Sequence, residues 1–388
     1  MMRSSEFAYR KLKRKIQSDG LRDTLVAASD LLTRKRLGRP VFDPLVERNI
    51  VRTISRNELR ASARRTVPIV INEDTKSFVA LVGAGRILSE TGLALTDRFE
   101  IVEETAAAPD HVQQAMMEML SRELFYGDVP IRRLLRWYET NDPSVTLNIV
   151  APLVPRYPNY YHWMVETVPK IRYLREFEDV TGKDVTVLIP VDAPPFVAET
   201  LRLLEWPQSK IVCATEPEYI VHNLIVPSYP ERHASDFKWI RREILETALT
   251  ESEPDERDNV YVSRANAVER RVLNEGEVMD VLSDYGFERY CLENRSLSEN
   301  ARLFNRADIV VGPHGAGLTD IIFAKNCTLL ELFGEKIKDP YELLADTLGV
   351  GYEPMYCQAD SADIIVDTEQ LERRISQLVD DGWKRRRL

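Results

Sequence analysis

The stretch Asp308-Ile-Val-Val-Gly-Pro-His-Gly-Ala-Gly-Leu-Thr-Asp-Ile-Ile-Phe-Ala324 constrains the fold more than any other part of this sequence. Ile309, Val310 and Val311 form the short β-branched run that a strand buried on both faces of a parallel sheet requires, and Gly312-Pro313 stops it. Gly315 and Gly317 flank Ala316, so the backbone there can take positive φ or pass close to a ligand, and Leu318 to Phe323 begins a helix. Strand, small-residue loop and helix start make an anion site. Free N–H groups at a helix N-terminus attract phosphate, and ligands of open parallel sheets lie beyond the carboxyl ends of the strands. His314 stands in that loop; a solvated histidine in a tight turn is the plainer alternative. The loop is neither Gly-x-Gly-x-x-Gly nor Gly-Lys-Ser/Thr, so dinucleotide and Walker-type sites have no support.

With 388 residues, 44% of them hydrophobic, the chain can bury a large core and suggests two domains with appendages. It holds no run of 18 apolar residues and is charged from Arg3 onward without an apolar signal core, which leads to an expected cytoplasmic location. Cys213, Cys291, Cys327 and Cys357 are widely spaced with no Cys-x-x-Cys, so they are expected to be ordinary buried thiols, not zinc ligands or a disulfide scaffold. The net charge of −10 divides unevenly: residues 1–40 carry 11 Lys/Arg against 4 Asp/Glu, or +7, which leaves −17 for the rest. An acidic body argues against a nucleic-acid partner. Arg10 to Lys15, with Leu21, Leu25, Ala28 and Leu32 at helical spacing, reads either as a basic amphipathic segment for an anionic membrane surface or as a solvated helix packed on the body.

From Thr66 to Thr105 short β-rich runs (Val67–Ile71, Phe78–Val82, Ile87-Leu88, Phe99–Val102) alternate with turn signals such as Gly83-Ala-Gly85, and no chemistry stands out in them. Two helices are expected between Met116 and Tyr138. From Ser144, strands at Val145–Val150, Val185–Ile189, Ile211-Val212 and Leu224–Val226 alternate with helices at Tyr160–Glu178 and Ala193–Leu204, the pattern of parallel βαβ units. His162 and Glu166, four apart, share a helix face behind Asn159 as N-cap, and could serve as a base and its orienting partner. Ser235–Leu249 is a linking helix. A second set follows: Val260–Val262, Phe287–Cys291, the helix Ser296–Asn305, Asp308–Val311 and Thr328–Phe333, then closing helices at Tyr341–Leu348 and Thr368–Val379 and the basic tail from Trp383. Arg264, at the carboxyl end of a strand, can fork onto phosphate oxygens, and Arg270, Arg271, Asn274 and Glu275 follow it. Glu331 interrupts an apolar strand, so it is either salt-bridged or turned toward a ligand such as a ribose. The expected organisation is a basic helical segment over 1–60, a β-rich meander with helices over 61–143, one α/β domain over 144–234, a second over 235–360, and a closing helix and tail over 361–388.

Gly312-Pro-His-Gly-Ala-Gly-Leu-Thr319, with Leu329-Leu-Glu-Leu-Phe333, resembles the C-terminal signature of glycosyltransferase family 61. Asn159-Tyr-Tyr-His-Trp-Met-Val-Glu166, with Pro169, resembles its N-terminal signature, and Arg264 with the Arg…Asn-Glu cluster fits the same pattern. The resemblance spans residues 140–360. It implies two Rossmann-like domains facing across a cleft, the GT-B type, with the acceptor side over 144–234 and the donor side over 235–360. It implies an inverting transfer from a nucleotide sugar to a hydroxyl of a glycan or lipid-linked oligosaccharide. No Asp-x-Asp is positioned in the site, so neither a metal nor another cofactor is expected, and helix dipole with Arg takes the metal's role. Glu166 or His162 would be the base, and Arg264, Arg271, Asn274, Gly312, His314, Gly315, Ala316, Gly317, Leu318 and Glu331 would hold the donor. A catalytically silent binding relative, and an unrelated two-domain epimerase or hydrolase, stay as alternatives; a hydrolase would need a second carboxylate beside Glu166.

Overall fold

The computed structural model describes residues 53–60, 71–72, 76–107, 115–116, 119, 145–249 and 258–385. They divide into two compact units: one holds the described residues up to Ala198 together with Glu205–Asp236, the other Glu199–Leu204 together with those from Phe237 onward. The basic segment of residues 1–40, the run Val67–Val70, most of the stretch Met116–Tyr138 and the end of the basic tail lie outside the described residues.

The N-terminal unit is built on a nine-stranded mixed sheet. In chain order its strands are β1 (Thr53–Ile54), β2 (Ile71–Asn72), β3 (Ser77–Leu88), β4 (Ala94–Thr96), β5 (Ile101–Val102), β6 (Thr146–Pro152), β7 (Thr186–Pro190), β8 (Ile211–Ala214) and β9 (Glu218–Pro227). Their order across the sheet is β1-β5-β4-β3-β9-β6-β7-β8, with β2 on β3. The run β6-β7-β8 is parallel, as the alternation of strands and helices requires. Its crossovers hold a helix in three parts, α1 (Tyr160–His162), a π turn (Trp163–Thr167) and α2 (Val168–Thr181), and then α3 (Pro195–Leu203).

The β-rich segment expected as a separate layer is continuous with this sheet. β9 pairs with β3 antiparallel on one side and with β6 parallel on the other. Gly83-Ala-Gly85, expected as a turn, lies inside the twelve-residue strand β3. Gly83 has φ +90°, the pairing with β9 shifts register on either side of it, and a Cβ on Gly85 would stand 2.5 Å from the Leu95 carbonyl oxygen. These glycines therefore make a bulge and a close approach and do not end the ladder.

After α4 (Ala234–Ala248), the C-terminal unit holds an all-parallel sheet of β10 (Asp258–Val262), β11 (Phe287–Tyr290), β12 (Ala307–Pro313), β13 (Thr328–Phe333) and β14 (Gly351–Tyr356). The order is β11-β10-β12-β13-β14, a doubly wound order that reverses between β10 and β12. Tyr261, Ile309, Val311, Leu330 and Leu332 form one core with Val278 and Leu282 of α5 (Glu275–Ser283) and Leu371 and Ile375 of α8 (Thr368–Arg385). The alternate residues Val260, Val262, Val310 and Leu329 are equally buried, so both faces are covered. Helices α6 (Leu297–Arg306) and α7 (Pro340–Leu348), and the hairpin of β15 (Gln358–Asp360) with β16 (Asp363–Ile365), complete the unit.

Of the cysteines expected to be buried, Cys327 is buried, Cys291 and Cys357 are half-buried and Cys213 is exposed on β8; all four are free thiols. No helix among the described residues is long and apolar enough to cross a membrane.

Helix α6 begins with a complete capping box: Ser296 Oγ accepts from the Glu299 N–H at 3.2 Å, and the Glu299 carboxylate accepts from the Ser296 N–H at 2.8 Å. Ser296→Ala removes one half of it and is expected to lower the unfolding free energy by about 1 kcal/mol, measured by urea denaturation.

Candidate functional site

The order reversal of the C-terminal sheet sets a crevice at the carboxyl ends of β10 and β12, and both ends carry candidate residues. Arg264 follows β10 and His314 follows β12. His314 is held closely: its N–H donates to the Leu332 carbonyl, its Nδ1 lies 2.5 Å from Glu331 Oε1, and its ring packs on Phe333 and Tyr341. Register pairs Gly312 with Glu331 across β12 and β13, so the carboxylate arises directly beneath the loop. Glu331 is fully buried, and its second oxygen accepts from the Tyr352 hydroxyl at 2.8 Å. Both carboxylate oxygens of Glu331 are thus engaged within the protein, one by His314 and the other by Tyr352. Burial beside Glu331 pushes the Tyr352 phenol above its ordinary range, so it stays a donor.

Neither Gly315 nor Gly317 takes positive φ; both serve close approach. A Cβ on Gly315 would collide with the Arg264 guanidinium, which passes directly against the loop backbone. Cβ atoms on Gly312 and Gly317 would press on Val262 and Leu292, so those two glycines pack the loop onto its strand and neighbouring turn. Behind them a 3-10 helix runs from Ala316 to Phe323, where a regular helix was expected. The Leu318 side chain is fully buried and its N–H is used on the Gly315 carbonyl, which leaves Ala316 and Gly317 as the loop's half-exposed members.

Arg264 donates from Nη2 to the Glu269 carbonyl, but its buried Nε has no hydrogen-bond partner among the described residues. Burial lowers its pKa to about 10, and the Arg270 charge lowers it further within that shift. Arg270 likewise has a buried Nε without a partner, and it takes φ +63°, a conformation non-glycine residues reach only under constraint. With His314, Lys336 and Lys338 it lines a small pocket that also has Glu269 and Glu335 in its wall. The two neighbours expected to hold a donor are committed elsewhere. Arg271 pairs with buried Asp363 at 2.8 Å, and Asn274 clamps Val366 through both its amide groups. Both residues tie the β16 region to the sheet. Arg270, adjacent in sequence, is the one that faces the pocket, and composition or spacing could not separate it from Arg271.

In the N-terminal unit, Asn159 caps α1 by accepting from the His162 N–H at 3.1 Å. Pro169, at the start of α2, has no N–H for a carbonyl one turn back, and the helix widens to a π turn just ahead of it. On this stretch residues four apart share a face, and His162 Nδ1 meets Glu166 Oε2 at 2.8 Å. Tyr157 packs on the outer side of the His162 ring at 4.8 Å. Burial would raise the Glu166 pKa, but hydrogen bonds from His162 and Tyr229 and the nearby His162 and Lys170 charges outweigh it, so Glu166 titrates below the ordinary carboxylate value. An ionised Glu166 fixes the imidazole with its proton on Nδ1, which leaves Nε2 to accept one.

Around this pair lies a buried network that sequence reasoning did not find. The Tyr229 N–H donates to Glu104 Oε2 at 2.5 Å, Arg56 bonds the Glu104 carboxylate and the Tyr229 carbonyl, and Lys170 Nζ lies 5.0 Å from the Tyr229 ring centroid. Glu104 comes from the β-rich segment in which no chemistry was expected. Among the described residues, no cluster of three His, Cys, Asp or Glu side chains is placed to hold a metal ion.

Comparison with known proteins bears on both sites. Residues 160–330, which hold His162, Glu166, Arg264 and His314, match the family model described as Glycosyltransferase 61. The chain is 28% identical over 126 residues to a beta-1,2-xylosyltransferase of Arabidopsis thaliana, covering 29% of this chain and 24% of that protein. It is 33% identical over 96 residues to an EGF domain-specific O-linked N-acetylglucosamine transferase of Drosophila melanogaster, covering 24% of this chain and 18% of that protein. The chain thus spans less than a quarter of the length of either relative.

If the Gly315 backbone and the Arg264 guanidinium form one anion site, Gly315→Ala and Arg264→Ala should weaken pyrophosphate binding alike, by about ten- to a hundredfold, the loss of one charge-assisted contact. The double variant should lose little more than either single one, because both remove the same contact. Isothermal titration calorimetry measures this, and full additivity would separate the two residues.

Proposed function

From the premise that residues 160–330 carry a Glycosyltransferase 61 domain, we propose that this protein transfers a sugar from a nucleotide-sugar donor to a hydroxyl of a glycan or lipid-linked oligosaccharide, with inversion. The observation that carries the proposal is the His162–Glu166 contact of 2.8 Å on a widened helical turn. His162 Nε2 accepts the acceptor's proton while the acceptor oxygen attacks the anomeric carbon, the bond to the donor phosphate breaks, and the nucleoside diphosphate leaves with the electron pair. Glu166 stabilises the imidazolium so formed.

In the C-terminal unit the leaving diphosphate is met by Arg264 and by the N–H groups of Ala316 and Gly317, with Arg270 and the Glu331-anchored His314 beside them. Such donors stabilise charge that grows during the transfer. Burial and the Arg270 charge disfavour the Arg264 cation, and a bound phosphate would add to the favourable Glu293 and Glu269 charges. The GT-B arrangement of the two units belongs to this proposal, supported by the doubly wound order of the C-terminal sheet and the parallel β6-β7-β8 run. The cytoplasmic location and the membrane contact of residues 1–40 belong to it too, and rest on sequence alone. The names of the two relatives make xylosyl and N-acetylglucosaminyl donors the first to screen.

Turnover against binding tests the assignment. His162→Ala and Glu166→Gln should each lower kcat by about 10²–10⁴-fold with donor affinity near wild type, and the histidine change should be at least as damaging. A markedly milder histidine variant would make Glu166 itself the base, and near-normal turnover in both would place the base elsewhere. Thermal shift with a nucleoside diphosphate reports donor binding separately.

A further inference from the structure

Lys170 lies one turn beyond Glu166 at the start of α2 and is only 7% exposed. An ammonium withdrawn from water is costly unless charges or rings surround it. Here the surroundings come from three elements: Glu166 on the preceding π turn, Glu104 in the 3-10 turn after β5, and the Tyr229 ring just after β9. Glu104 already has Arg56 as its cation and the Tyr229 N–H as a further donor. Arg56 also bonds Glu231, and Arg156 and Arg232 act on Tyr229 from its other sides. Glu166 is faced by His162, the Tyr229 hydroxyl and Lys170. Lys170 thus faces two carboxylates: Glu104, its stronger electrostatic partner and also bonded by Arg56, and Glu166, one turn back on its own helix.

We propose that Lys170 is a positioning residue for the His162–Glu166 pair: its buried ammonium, set among Glu166, Glu104 and the face of Tyr229, keeps Glu166 ionised so that the carboxylate holds His162 through Nδ1. This rests on the reading of that pair as the acceptor base. Burial lowers the Lys170 pKa to about 8, against the pull of Glu104 and Glu166, so it carries its charge at neutral pH. The Tyr229 phenol, raised by burial and by Glu166, remains a hydrogen-bond donor throughout.

Loss of a cation raises the pKa of both members of the pair. In Lys170→Met the acid limb of the kcat profile should therefore move up by about one pH unit, so that kcat falls near tenfold at pH 6 yet stays within about threefold at pH 8. Donor KM should not change, and Lys170→Arg should restore the wild-type limb. A loss equal at every pH would mark Lys170 as structural and overturn the proposal. If the neutral variant does not fold, the wild-type protein and Glu166→Gln decide it by NMR of ¹³Cε-lysine, with the Lys170 signal assigned by its loss in Lys170→Arg. Coupling is reciprocal, so Glu166→Gln should lower the Lys170 midpoint by about one unit; an unchanged midpoint overturns the proposal. Normal turnover in both His162→Ala and Glu166→Gln would sink the base reading and this proposal with it, whereas absent coupling sinks this proposal alone.

Discussion

A carboxylate withdrawn from water and tied to Nδ1 of a histidine is the interaction on which both candidate sites depend. Removing an ionised carboxylate from solvent costs several kcal/mol unless its lone pairs find donors. Each unit meets that demand in the same way. Glu331 accepts from Tyr352 and contacts His314, and Glu166 is bonded by Tyr229 and contacts His162. With a carboxylate on Nδ1, each ring presents Nε2 outward, and its orientation is set by protein, not by ligand. The pairs differ in depth. Glu331 is wholly enclosed, whereas the Glu166 and His162 side chains are 16% and 23% exposed.

Backbone geometry does as much as side chains in the loop after β12. A residue with a Cβ at position 315 would push the Arg264 guanidinium off the backbone, so the glycine is what lets cation and N–H groups converge on one point. The convergence lies at the order reversal because Arg264 and His314 end the two strands between which the sheet changes direction. Positive φ, which the glycine-rich sequence suggests, is not used there; at Gly315 φ is −179°, extended backbone open to any residue. The requirement is steric, and it comes from a partner 51 positions earlier in the chain.

That distance explains what the sequence disclosed and what it withheld. The strand Thr328–Phe333 and the Asn159 cap were legible because their signals are local: an apolar run after a turn and an amide before a helix. The His162–Glu166 contact was legible because four-residue spacing on a helix brings side chains together. Gly83 was misread because a bulge and a turn share the same residue, and only the strand on the far side tells them apart. The choice between Arg270 and Arg271 was not in the sequence at all, since it turns on Asp363, 92 positions away, and on the positive φ of Arg270. Glu104 was missed for the same reason, for its partners Arg56 and Tyr229 are 48 and 125 positions distant.

The electrostatics of the two units differ. Around Glu166 cations and carboxylates alternate, Arg56 with Glu104 and Lys170 with Glu166, with the Tyr229 phenol among them. At Arg264 burial and a second guanidinium, Arg270, disfavour the charge, while Tyr341, Glu293 and Glu269 favour it, and Asp363 is paired with Arg271. A buried cation held against its own kind stores unfavourable energy that an arriving anion releases. Under the proposed reading, a diphosphate would gain from such a site, and gain more as bond breaking adds charge to the phosphate. Under the same reading the N-terminal unit would supply the proton acceptor, with the Glu166 carboxylate balancing the imidazole as it charges.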